Sequence, residues 1–249
     1  MVEGKILLYE ELAINAYPAL QTQLYDGWVL RFANGYTNRA NSINPLYKSS
    51  LGLDIKIAEC EKRYFNKGLP SVYKLTDSTD KIIDKTLEKL GYEIVTPTYV
   101  MEMDLHGKDF TLENCAITPN ADNEWFDSYF SFCDYTDKIK MTTAKQIFAN
   151  VNNAMLCGRI VKDGISAACG SAVIERGYMA LLNIVVDEKQ RGKGYGTAIC
   201  ESLLAAAKQH CASTAYLQVV QDNDRAVNLY TKLGYKIVYS YWYRVKKEK

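Results

Sequence analysis

The chain has two histidines, His106 and His210, no cysteines at C-x-x-C spacing and no block of like charge. Seven scattered cysteines, an odd number, fit reduced and mostly buried thiols rather than disulfides or zinc, so a cytoplasmic protein without a metal site is expected. Lys and Arg total 30 against 29 Asp and Glu, with the signs interspersed. Electrostatic capture of nucleic acid or of an anionic membrane is therefore not expected. No apolar run approaches the length of a membrane helix, and Glu3, Lys5, Glu10 and Glu11 interrupt any signal-peptide core at the start. Low-complexity tracts are also missing. What remains is 249 residues at 48% apolar content, enough for one large domain or two small ones, as a monomer or a homodimer.

One stretch organises the rest. Met179 to Val186 has the length and branched content of a buried strand, and Arg191-Gly192-Lys193-Gly194-Tyr195-Gly196 follows it. A helix comes next, with Ile199, Leu203, Leu204 and Ala207 at helical spacing. A strand that feeds a glycine-dense turn opening a helix is a place for phosphate. The first N–H groups of a helix have no internal partner, and the dipole adds positive potential there. Thr197 stands where G-x-G-x-x-G needs its last glycine, and the triphosphate pattern G-x-x-x-x-G-K-[ST] is missing too.

Arg-Gly-x-Gly-x-Gly after a strand resembles the acetyl-coenzyme A loop of the GNAT superfamily of N-acetyltransferases. The resemblance continues through Leu217-Gln218-Val219, Asn223, Ala226, Leu229-Tyr230 and Leu233-Gly234-Tyr235, covering about residues 178–244. It implies an α/β (α+β) fold and acetyl-coenzyme A as co-substrate. The coenzyme would be held by Ile184, Val185, Val186, Arg191, Gly192, Lys193, Gly194, Tyr195, Gly196, Thr197, Asn223, Ala226 and Tyr230.

An internal echo extends this reading. Residues 87–95, Leu-Glu-Lys-Leu-Gly-Tyr-Glu-Ile-Val, recur at 230–238 as Tyr-Thr-Lys-Leu-Gly-Tyr-Lys-Ile-Val. Gly91 and Gly234 each sit where a left-handed cap would end a helix. The expectation is two GNAT-like lobes, each a mixed, mostly antiparallel sheet flanked by helices, divided as 1–108 and 109–249. Only the second keeps the coenzyme groups. In the first, Lys48-Ser49-Ser50-Leu51-Gly52-Leu53 holds one glycine in place of three, Leu87 stands opposite Tyr230 and Asp80 opposite Asn223.

In chain order, a helix is expected over Tyr9 to Ala19, then a strand over Gly27 to Ala33 with Asn34-Gly35 as its hairpin turn. A return strand runs to Ile43. Trp28, Arg31 and Arg39 on this hairpin are candidate acceptor residues, with Asn183; arginines there would suit an acceptor that carries an anionic group beside its amine. Further helices are expected at 53–67, 79–90, 123–133 and 142–151, the last two with Thr136 and Thr142 or Thr143 as caps. Strands are expected at 92–105, 154–161, 165–174 and 178–186, with a further strand possible over 110–117.

Acetyl transfer to an amine needs the amine deprotonated, since a lysine-like amine has a pKa of about 10.4. The resemblance places the carbonyl-polarising N–H at or near Val186. It makes Tyr230 the acid that protonates the leaving thiolate, because a phenol near pKa 10 outlasts a thiol near 8.5. Neither histidine falls near this site by order, and no single base stands out. A non-catalytic acyl-coenzyme A sensor is the alternative.

Overall fold

The computed structural model describes residues 2–112 and 115–248. In chain order the elements are α1 (Val2–Ala16), β1 (Gln21–Tyr25), β2 (Trp28–Phe32), β3 (Ile43–Pro45), α2 (Leu53–Phe65), β4 (Ser71–Thr76), α3 (Lys81–Lys89) and β5 (Glu93–Asp104). Then follow β6 (Cys115–Thr118), α4 (Asn123–Phe132), α5 (Lys138–Ala149), β7 (Ala154–Lys162), β8 (Ile165–Glu175), β9 (Tyr178–Val186), α6 (Tyr195–Gln209), β10 (Thr214–Val220), α7 (Asp224–Leu233) and β11 (Lys236–Lys246). This is the expected mixed α/β fold, with a large, mostly antiparallel sheet flanked by helices.

The strands form one sheet in the order β1-β2-β3-β4-β11-β5-β10-β9-β8-β7-β6. The expected pair of lobes therefore does not keep separate sheets. β5 ends the first half of the chain, yet it lies between β10 and β11 and bonds antiparallel to both. β11 ends the second half and bonds to β4 of the first. Each half has given its last strand to the other. Outward from the β5–β11 seam, the two sides run alike: an antiparallel pair, then the parallel pairs β4–β3 and β10–β9, then antiparallel strands. The sequence offset of 143 residues carries β4, α3 and β5, which start at 71, 81 and 93, onto β10, α7 and β11 at 214, 224 and 236.

Local signals explain most boundaries. Asp80, Asp122, Asp137 and Asn223 each accept a backbone N–H of the helix they open. α5 is thus capped by Asp137 and starts at Lys138, ahead of the expected Thr142, because a side-chain oxygen fixed at the N-cap satisfies an otherwise orphaned donor. The first hairpin also differs from expectation. β1 and β2 join through Asp26-Gly27, with φ of 43° and 82°, while Asn34-Gly35 opens a loop before β3. Both dipeptides adopt positive φ, and only the first lies between strands of matching register.

The seam is fastened by charge as well as by strands. Glu10 of α1 is buried and accepts from Lys74 Nζ of β4 (2.6 Å) and from the Tyr239 hydroxyl of β11 (2.7 Å). Removing one partner of such a buried pair costs about 3–5 kcal/mol, because the other charge is left without compensation. Among the described residues all seven cysteines are free thiols, and no helix is long and apolar enough to cross a membrane.

The exchanged strands carry a prediction. A fragment of residues 109–249 lacks β5, which leaves facing edges of β10 and β11 unpaired and open to aggregation. It should be insoluble or unfolded by circular dichroism, and supplying residues 1–108 in trans should restore the fold. A soluble, cooperatively melting fragment would contradict the exchange.

Candidate active site

β9 is where the sheet opens. β10 pairs with it in parallel from Thr214–Tyr178 to Leu217–Leu181 and then the pairing stops, although both strands continue. On its other edge β9 carries a bulge: between the pairs Ser171–Leu182 and Cys169–Val185, Gly170 alone faces Asn183 and Ile184. Asn183 sits at φ 54°, the left-handed conformation that such an inserted residue needs. A Cβ on Gly170 would come within 2.4 Å of Ile184 Cδ1, so any larger residue there would push the Ile184 side chain aside. The Gly170 carbonyl accepts from Trp125 Nε1 of α4 (3.0 Å). Asn183 Nδ2 donates to Ser171 Oγ (3.0 Å) and fixes the bulge from within.

A cleft of about 530 Å³ lies on one side of this opening. Of the residues expected to hold the coenzyme, it brings together Ile184, Val185, Val186, Arg191, Gly192, Gly194, Tyr195, Gly196, Thr197, Asn223, Ala226 and Tyr230. Lys193 is the exception: it lines a neighbouring hollow, and its Nζ donates to Gln190 Oε1 (2.9 Å). Gln190, Arg225 and Leu229 line the cleft as well and were not anticipated. Arg225 and Leu229 lie on the same helix as Ala226 and Tyr230, so helical spacing was the signal that could have found them.

The loop is shaped to receive an anion. Gly192 and Gly194 take φ of 79° and 87°, and Gly194 caps α6 in the left-handed conformation. Nothing crowds either position, so backbone conformation is what calls for glycine there. Thr197 and Ala198 N–H donate to the Gly194 carbonyl, whereas the N–H groups of residues 192–196 have no acceptor among the described residues. At Gly196 a Cβ would meet Leu229 at 3.4 Å and Val186 at 3.7 Å, so a longer side chain there would fill the cleft. Orphaned donors at a helix start with a glycine-lined approach fit the diphosphate of a coenzyme.

The corresponding loop of the first half is already filled. Ser50 and Leu51, which lie 143 residues before Lys193 and Gly194, donate their N–H groups to the Asp26 carboxylate at 3.0 and 2.9 Å. Ser50 Oγ (2.7 Å), Ser49 Oγ (3.0 Å) and Lys56 Nζ (3.2 Å) complete the shell. These hydrogen bonds, led by that of Leu51, hold the Asp26 carboxyl far below the usual carboxylate range. An internal carboxylate sits where the second half leaves its donors free.

Tyr230 of α7 is buried beside Tyr235, ring centroids 6.0 Å apart, and faces the cleft. Its hydroxyl has no hydrogen bond among the described residues, and burial raises its pKa well above that of a free phenol. Asn223 Oδ1 accepts the Ala226 N–H (3.2 Å), which leaves its Nδ2 unused.

Across β9 lies a second cavity of about 300 Å³, lined from both halves of the chain: Tyr17, Arg39 and Thr98 from the first, Asn183, Gln218 and Tyr241 from the second, among others. Of the four candidate acceptor residues, Arg39 and Asn183 line this cavity, and Trp28 and Arg31 do not. Trp28 is buried, edge-on to Tyr73 (5.6 Å) with Lys56 Nζ 3.9 Å over its ring. Arg31 is buried too, and its guanidinium donates to the carbonyls of Ile14, Tyr17 and Arg39. It fastens the loop that presents Arg39. A five-residue strand buried throughout has no solvent face, so its alternation could not mark a ligand surface. His106 sits on an exposed turn with Asp104, and His210 lines a different hollow.

A family model described as "Probable histone acetyltransferase Rv0428c C-terminal" matches residues 4–244. The chain belongs to this family of GNAT N-acetyltransferases. It is 29% identical over 243 residues to the "Uncharacterized N-acetyltransferase YobR" of Bacillus subtilis, covering 96% of this chain and 97% of that protein. Among solved structures, a GCN5-related N-acetyltransferase from Kribbella flavida shares the fold with a TM-score of 0.70 at 12% identity, over 98% of this chain and 95% of that one. A tandem GNAT protein from the clavulanic acid biosynthesis pathway aligns with a TM-score of 0.63 at 13% identity, over 78% and 69%. This GNAT enzyme therefore resembles its relatives over nearly its whole length, the first half included.

The loop geometry yields a direct test. Gly196→Asp sets a carboxylate in the cleft between Leu229 and Val186, and Gly194→Glu adds strain at positive φ. Either substitution should abolish acetyl-coenzyme A binding by calorimetry while melting temperature stays close to that of the parent for Gly196→Asp. Unchanged affinity in both would remove the loop from the site.

Proposed function

We propose that this GNAT enzyme carries two copies of one structural unit, residues 1–108 and 109–249, and that the second transfers an acetyl group from acetyl-coenzyme A to a primary amine of a small molecule or peptide. The observation that carries this reading is the run of N–H groups over residues 192–196 that have no partner among the described residues, beside a cleft lined by Tyr230 and by the open edge of β9. Arg191, Gly192, Gly194, Tyr195, Gly196 and Thr197 receive the diphosphate. Asn223 Nδ2 and the strand residues Ile184, Val185 and Val186 line the path of the pantetheine arm.

The oxyanion donor follows from the ladder. Asp187 N–H donates to the Ala167 carbonyl (3.0 Å), so strand alternation turns the Val186 N–H away from β8 and toward the gap. There it polarises the thioester carbonyl, an interaction that lowers a barrier by roughly 3 kcal/mol. The amine enters through the gap between β9 and β10 and attacks the carbonyl carbon. A C–N bond forms, the C–S bond breaks, and the thiolate takes its proton from the Tyr230 hydroxyl. The surplus proton of the amine leaves to solvent, and solvent returns one to the Tyr230 phenolate. Burial keeps the Tyr230 phenol protonated well past neutrality, so its acid form is the one present when the thiolate leaves.

Two measurements on one variant test this. Tyr230→Phe should keep acetyl-coenzyme A affinity within a few fold and lower turnover about 100-fold. A group whose pKa is raised stays protonated up to that higher pH, so Tyr230 contributes no alkaline decline in turnover between about pH 7 and 10. An unchanged turnover number in the variant, or an alkaline limb below pH 9 that the substitution removes, would contradict the assignment.

A further inference from the structure

The cavity across β9 holds donors that lack acceptors. Among the described residues the Arg39 side chain makes no ion pair or hydrogen bond; its guanidinium lies 5.0 Å from the centre of the Tyr17 ring. Gln218 Oε1 accepts from the Tyr241 hydroxyl (3.2 Å), while Gln218 Nε2 is buried without a partner. Asn183 spends its Nδ2 on Ser171. No carboxylate or imidazole lines this cavity among the described residues. The half-buried Arg39 guanidinium and the buried Gln218 amide donor line the same cavity, and an unpaired buried donor is costly until an acceptor joins it.

The cavity's surroundings narrow the choice. Asn183 lines this cavity and the next residue, Ile184, lines the coenzyme cleft, so the two hollows adjoin along β9. At about 300 Å³ the space lies at the small end of ligand sites, which suits a single small molecule. A lysine-rich tail would bring its positive charge against Arg39 with no acidic residue to receive it. The same cation disfavours the protonated form of a nearby amine and so favours the nucleophilic one. Arg31 keeps the loop in place by bonding the Arg39 carbonyl and the Tyr17 carbonyl together.

Building on the acetyltransferase reading above, we propose that the acceptor is a small amino acid-like molecule whose carboxylate is received by Arg39 and Gln218 Nε2, with its amine directed past Asn183 into the gap. The carboxylate satisfies both unpaired donors at once, and a charge-assisted bond to guanidinium supplies orientation as well as affinity.

The test pairs each of the common amino acids with its carboxamide, at saturating acetyl-coenzyme A, with released thiol as the readout. The free acid of the true acceptor class should exceed its amide about 10- to 100-fold in kcat/KM, the scale of one hydrogen-bonded charge. Arg39→Gln should abolish that preference by raising the Michaelis constant of the acid, leaving the amide and acetyl-coenzyme A nearly unchanged, and Arg39→Lys should restore part of it. Equal use of acid and amide by the parent enzyme would overturn the proposal, as would a basic peptide outperforming every amino acid. A preference that survives Arg39→Gln would overturn it too. Calorimetry with the same acids and amides in the presence of coenzyme A separates the two readings. Arg39-dependent binding of an acid with no thiol release from any amine would contradict acetyl transfer alone, whereas release from acids and amides alike would contradict the carboxylate site alone.

Discussion

Everything at the site depends on β9 parting from β10 after Leu181. Two parallel strands would normally stay bonded along their shared length, and these part while both continue for several residues. The bulge at Asn183–Ile184 supplies the bend, Gly170 makes room for it, and Trp125 takes up the carbonyl that faces it. β10 remains straight because β5 bonds its other edge from Thr214 to Val220. The opening thus rests on a strand from the other half of the chain, and the exchange at the seam is part of how the site is built.

The two halves show how one architecture supports unequal chemistry. Both place a turn ahead of a helix, α2 or α6, that follows the parallel strand. In the second half three glycines leave the N–H groups of that turn facing solvent. In the first, the Asp26 carboxylate from the β1–β2 turn occupies the equivalent donors, with Lys56 buried behind it. That internal anion compensates the helix start without a ligand, and it leaves the first half free to contribute Tyr17, Arg39 and Thr98 to the second cavity.

Sequence identified most residues that line the 530 Å³ cleft, because they are local in the chain. Glycines at 192, 194 and 196, the cap at Asn223 and a tyrosine seven residues on follow one another in the chain, and spacing alone orders them. The second cavity was less legible. Arg31 and Arg39 look alike in sequence, yet one is consumed by three backbone carbonyls and the other is left unpaired, a difference set by where α1 ends rather than by either residue's neighbours. Trp28 was misread for a similar reason: a strand covered on both sides has no ligand face. The recurrence of Lys-Leu-Gly-Tyr marked two similar helix-to-strand corners but could not show which strand pairs with which, since β5 and β11 carry nearly the same pattern and either could pair with β10.

The central claim is that of two related loops only one takes a coenzyme. Amide resonances of protein labelled with ¹⁵N-glycine, followed during titration with acetyl-coenzyme A, test it most directly. The account predicts large shifts at Gly192, Gly194 and Gly196 and none at Gly52. Shifts at Gly52, or an unmoved loop at 192–196 in the presence of saturating coenzyme, would contradict it.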